Sequence, residues 1–110
     1  MTRRLIILPK AEQDVQAIFD YIRERSSDGA DRWFRAFLDA ATKVLSFPEA
    51  YSLAPEDEIV QREIRQFLFR TRSGNVYRGL FIVVSAEVIV LRVRSPGHPP
   101  LSQDELSAVH

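Results

Sequence analysis

Apolar positions follow one rhythm in the first half of the chain and another in the second. Arg-Leu-Ile-Ile-Leu at Arg4–Leu8 is a short β-branched run ended by Pro9, which predicts a strand followed by a helix, because proline's missing N–H costs nothing at a first helical position. Ala11, Val15, Ile18, Phe19 and Ile22 then recur at helical steps, the stripe of an amphipathic helix. Ser26-Ser27-Asp28-Gly29 ends it near Arg25 with turn chemistry. Asp28 is placed to cap a second helix, whose apolar face is Phe34, Phe37, Leu38, Ala41 and Leu45, widened by Trp33 and Val44. Phe47-Pro48 closes it, since a residue before proline leaves the α region.

From Pro48 to Glu58 no period is visible, so this stretch reads as a loop. Beyond it Arg62–Arg70, Val76–Val84 and Glu87–Arg94 are rich in β-formers. Ser73-Gly74-Asn75 and Ser85-Ala86 between them are short enough for hairpins, which predicts an antiparallel meander. Ser95-Pro96-Gly97-His98-Pro99-Pro100 breaks the last strand, and 101–109 reads as a short final helix. The order β-α-α-β-β-β defines an α+β fold over residues 1–110 as one domain, with a helical hairpin on one face of an antiparallel sheet. The other face is free to stay open. Strict alternation would put Ile89, Leu91 and Val93 on one side of the last strand and Val90, Arg92 and Arg94 on the other.

Composition sharpens this picture in two places. The chain has no cysteine, which excludes disulfides, thiolate metal sites and a cysteine nucleophile. Two histidines without cysteine support no metal centre, the four glycines build no phosphate loop, and no cofactor is expected. No apolar run approaches the ~20 residues of a membrane span, and Leu5–Leu8 is too short for a signal peptide, so a soluble cytoplasmic protein is expected. A net charge of zero hides a marked asymmetry. Six basic residues face eleven acidic ones between Lys10 and Glu58, whereas seven arginines and no lysine face two acids between Arg62 and Arg94. Either the halves attract one another within the fold, or the basic half presents planar guanidinium forks to a phosphate or carboxylate partner.

The order and spacing of Pro9-Lys10-Ala11-Glu12-Gln13-Asp14-Val15, Ile18-Phe19-Asp20-Tyr21-Ile22, Val44-Leu45-Ser46-Phe47-Pro48, Arg62-Glu63-Ile64-Arg65, Val76-Tyr77-Arg78 and Val88–Arg94 resemble the RelE/ParE toxin superfamily over about residues 3 to 98. The resemblance implies a type II toxin paired with a cognate antitoxin. It leaves two targets open: ribosome-bound messenger RNA, cut by the RelE branch, and DNA gyrase, inhibited by the ParE branch. A non-toxic nucleic-acid-binding or interaction module is the third reading.

Metal-free RNA cleavage needs a base, cations around the phosphate and an acid. Arg78 matches the strand arginine of the RelE-type ribonucleases, Arg65, Arg92 and Arg94 can widen its patch, and His98 can act as acid or base. Their alternative is to decorate the surface. Where those ribonucleases carry lysines before the second strand, this chain has Glu56, Asp57 and Glu58, and their late arginine and tyrosine have no match in Pro96–Leu106. These departures favour a ParE-like growth inhibitor that binds its target. For the antitoxin, Trp33 is the expected contact, with Phe34 and Phe37 in the core; the alternative puts all three in the core.

Overall fold

Backbone chemistry sets the ends of the elements much as the sequence implies. The computed structural model describes residues 3–57, 63–71, 74–102 and 104–105. β1 (Arg4–Ile7) leads through Leu8 into α1 (Pro9–Arg23), with Pro9 at its first position. α2 (Ser27–Val44) begins two residues earlier than expected, because Ser26, and not Asp28, is its cap: the Ser26 hydroxyl accepts from the Gly29 N–H at 2.9 Å. A single 3₁₀ turn at Pro48–Ala50 follows. β2 (Arg65–Arg70), β3 (Val76–Val84) and β4 (Glu87–Arg94) complete the fold. The β3–β4 hairpin turns at Ser85, which takes a positive φ of 54° as such tight turns require. Glu58, Arg62, Ser73, His110 and most of the expected helix over 101–109 lie outside the described residues.

The sheet is ordered β1-β4-β3-β2 and is mixed. β2, β3 and β4 form the expected antiparallel meander, while β1 pairs with β4 in parallel, Leu5 opposite Val88 and Ile7 opposite Val90. α1 lies against β4 and α2 against β2, so the helical hairpin covers one face. Among the described residues, no helix is long and apolar enough to cross a membrane.

Between hairpin and sheet lies an aromatic core. Trp33 and Phe37 from α2 meet Phe67, Phe69, Tyr77 and Phe81 from the sheet, with Val15, Val88, Val90 and Val93 around them. Trp33 stacks on Phe37 at 6.1 Å between ring centroids and meets Tyr77 edge-on at 5.6 Å, distances at which aromatic pairs attract beyond their buried area. Gly79 sits opposite Phe67, whose ring occupies the space a side chain would need.

The second face is not open. Ala54, Ile64 and Leu101 pack on Leu80, Ile82 and Leu91 there, so the loop before β2 and the segment after β4 close it. Alternation along β4 also fails at one point. The register shifts between Leu80 and Phe81, so that Phe81 faces Val90 but Leu80 faces Arg92. One extra residue on a strand inverts the parity beyond it. Val93 therefore joins Val90 in the core under the helices, whereas Ile89 and Leu91 belong to the second face.

Candidate functional site

Adjacent strand residues point to opposite faces, so Tyr77 under the helices sends Arg78 to the second face. There Arg78 meets Glu56, a carboxylate with 0% exposure. Its two terminal nitrogens donate to the two Glu56 oxygens at 3.1 and 3.0 Å, and one also donates to Gln66 Oε1 at 2.9 Å. The Leu101 N–H donates to the same carboxylate at 2.9 Å. Burial pushes the Glu56 pKa up, but the hydrogen bonds from Arg78 and Leu101 outweigh it and hold the group below its ordinary value. Glu56 thus does the opposite of what its place in an acidic loop suggests. It neutralises an internal arginine rather than confronting solvent.

Three other strand arginines are engaged as well. Arg92 grips Asp14 of α1 with two donors at 2.7 and 3.0 Å, and that hydrogen-bonded pairing raises the Arg92 pKa. Asp14 also accepts from the Val93 N–H at 3.0 Å, pinning α1 to β4 at its bulge. Arg65 donates to the Tyr51 carbonyl at 2.6 Å and lies 3.8 Å from Glu63. Arg94, directly opposite Arg78, donates to the Pro99 carbonyl at 2.9 Å. Arg65, Arg78, Arg92 and Arg94 are thus all bonded within the fold, and the like charges of Arg78 and Arg94 on neighbouring strands, which would repel, are each given an internal acceptor.

His98 and Trp33 complete the residues singled out from the sequence. His98 is exposed in the loop after β4, facing the other side of the molecule from Arg78; it shares a hollow with Ala17, Ile18, Tyr21 and Tyr77. Arg78 lines none of the described cavities with it. Trp33 is 1% exposed and belongs to the core, and its indole nitrogen is buried without an acceptor among the described residues. Phe37 is in the core as expected, but Phe34 is not: it is 38% exposed and packs edge-on against Phe19.

What the sequence reasoning missed is a cavity of about 480 Å³ where the α1–α2 link meets the β2–β3 hairpin. Ile22, Trp33, Ala36 and Tyr77 make its apolar walls, and Arg25, Arg32 and Arg70 stand around them. Tyr21 and Tyr77 line both this cavity and the hollow beside His98, so the two form one groove. Burial, and the nearby Tyr21 hydroxyl, raise the Tyr77 pKa, keeping its phenol protonated as a donor. A signal did exist in the sequence. Gly29, Arg32 and Ala36 recur at steps of three and four beside the apolar stripe of α2, a small-residue gap flanked by charge.

The structure is a helical hairpin on a small mixed sheet, with Arg65, Arg78, Arg92 and Arg94 held internally and an arginine-rimmed groove at one end. A sequence model described as the ParE toxin of type II toxin-antitoxin system, parDE, matches residues 5–97. The chain belongs to this ParE toxin family. No curated protein matches the sequence.

Proposed function

We propose that the protein inhibits growth by binding a cellular target, as the ParE branch does with DNA gyrase, and that its cognate antitoxin neutralises it by binding in turn. The engagement of Arg78 by buried Glu56 carries this reading. An arginine already held bidentately by a carboxylate has little to offer a substrate phosphate, and a second anion there would meet Glu56 first. Arg65, Arg92 and Arg94, also bonded within the fold, support the same conclusion. Cleavage of RNA would need acid, base and cation converging on one phosphate. Arg78 and His98 share none of the described cavities, which speaks against that convergence.

Expression of the chain alone in a bacterium, with and without the antitoxin, tests the toxin reading; unimpaired growth on induction would sink it. Supercoiling by purified gyrase and mapping of messenger breaks then separate the targets. Inhibited supercoiling with intact messages is the expected result. A ribosome-dependent ribonuclease is the second reading, favoured by one observation: His98 lies exposed beside the protonated phenol of Tyr77 in the groove. Cleaved messages that disappear on His98→Ala substitution would establish it instead.

A further inference from the structure

Ion pairing divides the arginines of this protein unevenly. Among the described residues, Arg3, Arg4, Arg23, Arg65, Arg78 and Arg92 each have a carboxylate within 4.0 Å. Arg25, Arg32, Arg35, Arg70 and Arg94 have none within that distance among the described residues, and of these Arg25 and Arg94 each donate to a backbone carbonyl. Three of these five, Arg25, Arg32 and Arg70, surround the 480 Å³ cavity. They arrive from separate elements: the link before α2, the first turns of α2, and the end of β2. All three are exposed. Arg25 lies over the Tyr21 ring, 4.2 Å from its centroid, and donates to the Tyr21 carbonyl at 3.3 Å, which holds its guanidinium at the mouth of the groove.

Between these cations the cavity is apolar, walled by Ile22, Trp33, Ala36 and Tyr77. Exposed Tyr21, at 60%, forms the ridge that leads on toward His98. Tyrosine, tryptophan and arginine around a desolvated pocket are the residues that dominate binding energy at protein interfaces. A hollow of this size accepts one or two bulky apolar side chains. Arginines without a carboxylate partner around it call for carboxylates on the same ligand, because a purely apolar segment would leave three charges partly desolvated and unmatched.

We infer that this groove is a docking site for an acidic, apolar segment of the antitoxin, which places an apolar side chain against Ile22, Trp33 and Tyr77 and carboxylates on Arg25, Arg32 and Arg70. The inference rests on the reading above, that an antitoxin neutralises the chain. It assigns that partner a place and a chemistry. The surface where the sequence pointed, around Arg65, Arg78, Arg92 and Arg94, is left out of it.

The test uses the whole chain and the whole antitoxin. Dissociation constants are measured by titration calorimetry for the wild type, for the Arg25→Ala/Arg32→Ala/Arg70→Ala variant, and for Arg35→Ala, an exposed arginine of α2 outside the cavity. The triple variant should bind about ten- to a hundredfold more weakly, each exposed charge contact contributing a few-fold. Arg35→Ala should stay within twofold of wild type. Raising the salt concentration should weaken the wild-type complex and leave that of the triple variant nearly unchanged. An unchanged constant for the triple variant overturns the inference while leaving the toxin reading intact. So does loss of toxicity with full antitoxin affinity, which would make the groove a target site. Failure of the wild type to bind the antitoxin at all overturns both.

Discussion

Replacing Glu56 by glutamine keeps the volume of a side chain that has 0% exposure, and removes one charge. One Glu56 oxygen accepts from Arg78 alone, and the other from Arg78 and from the Leu101 N–H. Whichever way an amide is turned, its NH₂ group must face at least one of these donors. One charge-assisted bond is lost outright, at about 1.5–3 kcal/mol. The Arg78 charge, whose side chain is only 19% exposed, also loses its counter-ion. Gln66 still accepts from Arg78, which limits the damage. The sum is about 2–3 kcal/mol for Glu56→Gln; Glu56→Ala, which leaves both donors bare, should cost about 3–5 kcal/mol. Urea denaturation at pH 7, followed through the single buried tryptophan, measures both. The pH dependence has a fixed sign. The Glu56 pKa in the folded state lies below its ordinary 4.5, so its contribution is complete above that value and lost as pH falls through the folded one. The deficit of Glu56→Gln should therefore shrink on acidification below about 4.5. A double-mutant cycle with Arg78→Met isolates the pair and should return a coupling above about 1 kcal/mol. A Glu56→Gln protein within about 0.5 kcal/mol of wild type, or strictly additive variants, would refute the claim that Arg78 is an internal partner.

Three further substitutions probe the rest of the frame. Gly79→Ala would drive a methyl group into the Phe67 ring and should destabilise by about 1–3 kcal/mol in chemical denaturation. Asp14→Asn should cost about 2–3 kcal/mol by loosening both Arg92 and the Val93 N–H, with faster amide exchange where α1 meets β4. Phe37→Ala should remove about 3–5 kcal/mol from the aromatic core, whereas Phe34→Ala, at a half-exposed position, should cost about 1 kcal/mol; similar values for the two would contradict the packing described.

The elements were legible in the sequence because local chemistry decides them. The period of the apolar residues, Pro9 and Pro48, and the turns at Ser26 and Ser85 put β3 and β4 where expected and the helices within a few residues. What could not be read there depends on distant pairings. β1 pairs in parallel with β4 across about eighty residues of chain, and periodicity carries no information about which strand becomes its neighbour. The β4 bulge reverses the faces of the residues beyond it without a glycine or proline to announce it. Trp33 and Phe34 are neighbours on one helix, and only the roll of that helix on the sheet decides which is buried. The same limit applied to the candidate site. Charge counts showed an arginine-rich half, but Asp14 and Glu56, which neutralise two of its members, come from the acidic half. Attraction between the halves within the fold was one of the two readings of that asymmetry, and these pairs realise it. Arg25 and Arg32, in the acidic half, stand with Arg70 beside the cavity and without a carboxylate partner among the described residues.

The proposal that this ParE-family chain acts by binding faces its most direct test in a supercoiling assay. Purified chain is added to DNA gyrase, and in parallel to ribosomes translating a messenger, each with and without equimolar antitoxin. The account predicts that supercoiling is inhibited, that the antitoxin restores it, and that messages stay intact. Uninhibited gyrase together with antitoxin-sensitive cuts in the messenger would contradict it.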